Sequence, residues 1–325
     1  MRFQFISTLV SIAALAGPLL ASAVPNSGLA TRSNPVTTKT VKYVTSSDGL
    51  KIYADSNDNY GKPAIIFTHG FALTSAVFDL VFENPAFAAS YHLVRYDLRG
   101  QGRSGVPTSA AGHASKLYAD DFAAVATAFG VTKPYTAAWS YGGTVLSDIT
   151  TYLPSDYLSG SIYLAAVPFL GDSLASVVHP LTLYIIPAIT TPTENATDWE
   201  AGHTNFTTSI FSTPDEVPIE TKWLWRGMQS SAPPISYELA ISRTVDANAS
   251  FALGAKGYPL QVIVGTDDLI VNGPALVDAL QPHFTKLSVH YVQGGGHSTF
   301  YQNSQEVVDA ITKFVTENKW TGGSN

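Results

Sequence analysis

The run Thr136-Ala137-Ala138-Trp139-Ser140-Tyr141-Gly142-Gly143 decides how this chain is read. An apolar, strand-like stretch leads into Ser140, and a helix-like stretch, Thr144 to Tyr152, leaves it. Small residues stand two places before and two places after the serine, Ala138 and Gly142. A strand that becomes a helix within so few residues makes a tight, strained turn, in which larger side chains at those positions would collide. The turn lifts the serine hydroxyl above the strand ends, near the positive end of the following helix. Alone, a small-x-Ser-x-Gly pattern also fits an ordinary turn, because serine and glycine are common.

A free hydroxyl is a poor nucleophile at neutral pH and needs a base and an orienting acid. Two later segments supply them. Leu260 to Val271 is a run of β-branched residues ending in a turn that carries Asp267 and Asp268. Leu287 to Gln293 is another strand, and it runs into Gly294-Gly295-Gly296-His297. The glycines let the backbone take unusual angles and present the His297 ring over the sheet edge. A serine, an aspartate pair and a histidine thus each follow the end of a predicted strand, where open α/β sheets gather functional groups. His290 lies inside a strand pattern. His92, His113, His179, His203 and His283 show no paired ligand spacing, so no metal site is expected.

Two upstream segments complete the pattern. Pro63 to Phe71 is a strand ending in His69-Gly70-Phe71. Tyr91 to Gly105 carries Asp97-Leu98-Arg99-Gly100-Gln101-Gly102-Arg103-Ser104, with glycines suited to a tight strand-to-loop transition. Asp97, Arg99 and Arg103 read as a structural charge network.

Together these segments, spanning about Val41 to Lys319, resemble the α/β-hydrolases, in the haloperoxidase and epoxide-hydrolase-like branch with a serine nucleophile. The resemblance implies an α/β fold with a mostly parallel central sheet flanked by helices and a helical cap inserted before the penultimate core strand. The elbow pattern of that family is G-x-S-x-G, and Ala138 departs from its first glycine. The family order Ser–Asp–His makes Ser140 the nucleophile and His297 the base. It favours Asp268 as the acid, with Asp267 as a turn residue or the alternative acid. Some relatives place the acid where Asp172 stands. The resemblance also implies an oxyanion hole from the backbone N–H groups of Phe71 and Tyr141. Epoxide hydrolases and haloalkane dehalogenases of this fold use aspartate at the elbow, so Ser140 argues for acyl chemistry instead.

A chain of 325 residues with 45% hydrophobic content can bury a large core. The expected division is a leader over 1–23, a flexible lead-in over 24–40, a core over 41–170 and 259–325, and a helical cap over 171–258. Within the cap, Trp223, Trp225, Met228, Tyr184, Leu183, Ile185 and Phe211 either line an apolar pocket or hold the cap together. A cap implies a covered site and a small to medium, apolar substrate.

Arg2, an apolar run from Phe5 to Leu20 and the small-x-small Ala21-Ser22-Ala23 read as a secretory leader. An uncleaved anchor is the alternative. No later segment is apolar enough to span a bilayer. Sequons at Asn195, Asn205 and Asn248 fit a secreted, glycosylated protein. Cysteine is absent, which excludes thiolate chemistry and leaves stability to the core. Acidic residues exceed basic ones, 25 to 18, so there is no footprint for nucleic acid.

The expected function is a secreted hydrolase of carboxylic esters or lactones, acting through Ser140, His297 and Asp268 without a cofactor. The alternatives are a perhydrolase or carbon–carbon bond hydrolase with the same three residues, and a silent ligand-binding protein on the same fold. The sequence leaves the oligomeric state open.

Overall fold

The computed structural model describes residues 40–319. The expected leader and the lead-in up to residue 39 lie outside the described residues, as do residues 320–325. Eight strands form one sheet: β1 (Thr40–Thr45), β2 (Lys51–Ser56), β3 (Ala64–Thr68), β4 (His92–Tyr96), β5 (Tyr135–Trp139), β6 (Gly160–Leu164), β7 (Leu260–Gly265) and β8 (Leu287–Val292). Their order across the sheet is β1-β2-β4-β3-β5-β6-β7-β8. β2 runs antiparallel to both β1 and β4, and every other pairing is parallel. The central strands β4, β5, β6 and β7 are buried throughout, and the polar residues they carry are satisfied inside, as Arg95 of β4 is by Asp55 and Asp79. β1 alternates half-buried and exposed residues, as a one-sided edge strand does.

Among the described residues, the helices of eight or more residues are α1 (Ser115–Ala128), α2 (Gly143–Tyr152), α3 (Pro180–Thr190), α4 (Ala196–Ser209), α5 (Ile219–Met228), α6 (Pro234–Ile241), α7 (Asn248–Ala255), α8 (Gly273–Leu280) and α9 (Ser304–Glu317). α3 to α7 all fall between β6 and the penultimate strand β7, so the helical insertion stands where the sequence put it. α9 closes the chain with buried Val307, Val308, Ile311 and Phe314 on one stripe. No helix among the described residues is long and apolar enough to cross a membrane.

The topology fixes where a site can form. The connection leaving β3 goes to β4 on one side, whereas the connection leaving β5 goes to β6 on the other. A crevice therefore opens between the carboxyl ends of β3 and β5, where such sheets bind ligands. Thr68 and Ala138 are register partners there. The residues that follow them are His69-Gly70-Phe71 and Trp139-Ser140-Tyr141.

Candidate active site

Ser140 has φ +54°, a left-handed conformation rare for a residue with a side chain. Holding it there costs roughly 1–3 kcal/mol, so the surroundings must enforce it. They do so through glycine. A methyl group on Gly142 would lie 2.6 Å from the Thr68 carbonyl oxygen, and one on Gly143 would lie 2.6 Å from that of Val167. Only bare backbone lets the start of α2 come this close to the ends of β3 and β6. Ala138, the departure from the family pattern, fits its methyl in the buried interior of β5.

Two peptide planes at this turn are pinned by their carbonyls. The Ser140 carbonyl accepts from the Val167 N–H at 3.0 Å. The Gly70 carbonyl is bonded to His69 Nδ1 at 2.7 Å. His69 Nε2 accepts from the Leu98 N–H at 2.9 Å, so Nδ1 carries the ring proton and donates it to Gly70. Burial lowers the His69 pKa against the opposing pull of Asp97, which keeps this arrangement neutral. In a trans peptide the N–H points opposite to the carbonyl. The Tyr141 and Phe71 N–H groups thus face away from Val167 and His69. Among the described residues, neither N–H makes a hydrogen bond within the protein.

His297 and Asp268 meet as a buried pair, Nδ1 to Oδ2 at 2.9 Å. The other carboxylate oxygen of Asp268 accepts from the Ile270 N–H at 2.7 Å and the Val271 N–H at 3.0 Å, which locks its rotamer. Asp267 is exposed and its carboxylate accepts from the Thr266 hydroxyl, whereas Asp172 lies exposed on a separate turn. Of the three aspartates considered, Asp268 is the one beside the histidine. His290 is bonded to Glu306 at 2.8 Å. Asp97 pairs with Arg103 and Arg99 with Asp121, both at 2.7 Å, as a charge framework under the loops.

Trp139 was not singled out in the sequence, yet it braces the site. Its indole N–H donates to the His297 carbonyl at 3.0 Å, and its ring lies 5.3 Å from the imidazole. The signal was a bulky aromatic immediately before the serine, which reads as ordinary core.

Ser140, Tyr141, Phe71 and His297 line one narrow cavity of about 40 Å³. That is room for about three water molecules. Its remaining walls are aliphatic or aromatic apart from Thr182, and come from β5 and the segment after β6 (Trp139, Val167, Leu170), the insertion (Leu174, Val178, Ile186, Phe206, Ile241) and the acid loop (Ile270, Val271). The Thr182 hydroxyl donates to the Ile270 carbonyl at 2.6 Å, so it is already engaged. None of the seven insertion residues named from the sequence lines the cavity. Trp225, Met228, Ile185 and Phe211 are buried, with Trp225 against Trp139 and Phe300 and Phe211 against Tyr301 of the core, whereas Leu183, Tyr184 and Trp223 face solvent. The named residues mark the packing of the insertion against the core and its outer surface; the walls themselves are other, mostly aliphatic residues of the insertion.

The comparisons with known proteins agree with this geometry. Residues 65–310 match the family model of the Alpha/beta hydrolase family, and the chain belongs to that family. The chain is 36% identical over 91 residues to the probable oxidoreductase EphD of Mycobacterium tuberculosis, covering 28% of this chain and 15% of that protein. It is 33% identical over 129 residues to a bifunctional esterase/perhydrolase of Acinetobacter calcoaceticus, covering 39% of this chain and 45% of that protein. The chain therefore matches less than half the length of these curated relatives. Among solved structures, an esterase from Rhodococcus sp. ECU1013 superposes with a TM-score of 0.76 at 23% identity, over 86% of this chain and 99% of that one. This last likeness establishes the fold.

Proposed function

We propose that this protein is a serine hydrolase of uncharged carboxylic esters or lactones with small aliphatic acyl groups. The observation that carries the reading is the buried His297–Asp268 pair at 2.9 Å, in one cavity with a serine held at φ +54°. Ser140 Oγ attacks the acyl carbonyl while His297 Nε2 takes its proton. The carbonyl oxygen becomes an oxyanion and receives the free N–H groups of Phe71 and Tyr141. His297 then gives the proton to the leaving alkoxide, leaving an ester on Ser140. In the second half His297 draws a proton from water, whose oxygen attacks that ester, and the imidazolium returns the proton to Ser140 Oγ as the acid leaves. Asp268 keeps the imidazole in the tautomer that can accept, and stabilises the imidazolium. No cofactor takes part.

The substrate class follows from the walls. Apart from Ser140, an apolar lining whose Thr182 and Tyr141 hydroxyls are both engaged offers nothing to a charged or strongly polar acyl group, whose desolvation would go uncompensated. The cavity is far smaller than the roughly 300–1,000 Å³ that surrounds a drug-sized ligand, which favours short acyl chains. A second reading rests on the Acinetobacter relative, named an esterase/perhydrolase. Hydrogen peroxide in place of water would release a peracid from the same acyl-enzyme. Secretion and glycosylation belong to the same proposal, supported by the apolar run from Phe5 to Leu20 ahead of Ala21-Ser22-Ala23 and by the exposed positions of Asn195, Asn205 and Asn248.

A fluorophosphonate probe with peptide mapping tests the central point. Labelling at Ser140, lost in His297→Ala, is expected. A folded protein that takes no label, or labels elsewhere, refutes the reading and turns attention to ligand binding without chemistry.

A further inference from the structure

Arg243 lies just past α6 in the insertion, and its side chain is buried. One end of its guanidinium meets Asp148 of α2 at 2.9 Å and the Ser115 hydroxyl at 3.3 Å. The other end donates to the Thr144 hydroxyl at 3.1 Å. Thr144 in turn donates to the Tyr141 carbonyl at 2.8 Å. The guanidinium also lies 3.7 Å above the Tyr118 ring and 5.7 Å from the centre of the Tyr141 ring. On the same segment, the Ala240 carbonyl accepts the Tyr141 hydroxyl at 3.1 Å. The insertion therefore holds the Tyr141 hydroxyl directly through Ala240 and, by way of Thr144, the Tyr141 carbonyl through Arg243.

We infer that Arg243 is a positioning residue that holds the Tyr141 N–H where an oxyanion would form. The inference rests on the serine-hydrolase reading above. A buried ion pair is a poor source of stability, because desolvating both charges offsets their attraction. Here the cost is compounded, since Arg243 Nε has no hydrogen-bond partner among the described residues. A methionine of similar length could fill the space above Tyr118 without that penalty. What it cannot supply is the rigid fork that ties Asp148 and Thr144 together, and through Thr144 the Tyr141 backbone. Small displacements of an oxyanion donor are felt in the transition state and scarcely in the bound substrate.

The test compares the full-length wild type with Arg243→Met, using p-nitrophenyl butyrate and an aryl trifluoromethyl ketone that forms a tetrahedral adduct with an active serine. In Arg243→Met, kcat is expected to fall about 10–100-fold with KM within about threefold, because one of two oxyanion donors is misplaced rather than removed. Ketone affinity is expected to fall by the same factor as kcat. Tyr141→Phe removes the hydroxyl that donates to Ala240 and faces Arg243 and Tyr118 while leaving the Arg243–Thr144 link in place, and a smaller fall with the same kcat signature is expected. That variant carries the test if Arg243→Met does not fold. Unchanged kcat and ketone affinity beside a lowered melting temperature would overturn the inference and leave Arg243 as an anchor of the insertion. Fluorophosphonate labelling of Ser140 in the same wild-type preparation separates the two levels. Label with an indifferent Arg243→Met overturns the positioning role alone, whereas absence of label in wild type removes both.

Discussion

Replacing Asp268 by asparagine should abolish activity through a tautomer, and the geometry says which way the new amide turns. One carboxylate oxygen of Asp268 accepts two backbone N–H groups, from Ile270 at 2.7 Å and Val271 at 3.0 Å. The other faces His297 Nδ1 at 2.9 Å. An asparagine must keep its single oxygen toward the two donors, because its NH₂ there would meet N–H against N–H. The NH₂ then points at His297 Nδ1 and donates. Nδ1 must accept, so the ring proton moves to Nε2, the nitrogen that has to take the proton of Ser140. The loss expected for a base in the wrong tautomer is about 10⁴-fold in kcat, roughly 5.5 kcal/mol of transition-state stabilisation. Stability should change far less. Both backbone bonds survive as neutral rather than charge-assisted bonds, a difference of about 1–2 kcal/mol in total. The assay is kcat on p-nitrophenyl butyrate beside a thermal melt, with Asp267→Asn as control. Asp267 is exposed, so that control should retain full activity. A folded Asp268→Asn that keeps more than a tenth of wild-type kcat, or an Asp267→Asn that matches its loss, refutes the reasoning.

Three further outcomes are expected. Gly142→Ala drives a methyl to 2.6 Å and 2.8 Å from the backbone oxygens of Thr68 and His69, which cannot swing aside; a loss of about 1–3 kcal/mol in chemical denaturation should accompany a drop in kcat. Ile186→Ala widens an aliphatic wall of the cavity, so the ratio of kcat/KM for hexanoate over acetate esters should rise by about tenfold, and an unchanged ratio would remove Ile186 from the acyl pocket. His113 is pushed down to about 4 by burial first, with Arg99 and Arg243 adding repulsion against the bond to the Pro107 carbonyl. Its unfolded form titrates near 6.5, so between about 6.5 and 4 the unfolded chain binds the extra proton. Its contribution is full above that window and is lost as pH falls through it. The melting temperature of His113→Gln should therefore drop less steeply than wild type between those pH values.

The elbow was legible because each of its constraints is local. A tight turn between strand and helix demands small residues at fixed spacing, and Gly142 meets two backbone oxygens where any side chain would collide. The Asp–His pairing was legible in outline because both residues end parallel strands that the sheet sets side by side, β7 and β8. The choice between Asp267 and Asp268 needed the turn itself, where alternation throws one outward and the other onto two backbone N–H groups. The cavity walls were not legible. Which face of α3 or α4 looks inward depends on how the insertion docks, and long-range docking leaves no periodic mark on a helix as uniformly apolar as Pro180–Thr190. The conspicuous aromatics drew attention, whereas Thr182, Ile186 and Phe206 line the cavity.

The insertion is stitched to the loops that carry all three candidate residues. At the acid loop, Val178 pairs with Val271 as an antiparallel bridge, and the Asn272 N–H donates to the Val177 carbonyl at 3.0 Å. At the histidine loop, the Ser298 N–H donates to the Ile210 carbonyl at 3.1 Å, and a methyl on Gly296 would lie 2.4 Å from the Ser212 nitrogen. At the elbow, Ala240 and Arg243 grip Tyr141 and Asp148. A lid that swings as a unit would break all three seams at once, including a buried ion pair. Access is better explained by local opening of the walls over the cavity, such as Leu174 on its exposed turn and the outer helix α3. The consequence is testable, since local and sub-global openings differ in free energy. Trp139 in the core and Trp225 in the insertion lie 6.0 Å apart, so tryptophan fluorescence reports their seam once Trp199, Trp223 and Trp320 are replaced by Phe. If the insertion is fixed, fluorescence and fluorophosphonate reactivity disappear at one denaturant midpoint. An earlier separate loss of the tryptophan signal, with reactivity retained, would mean that the insertion detaches as a unit and that the seams do not hold the site together.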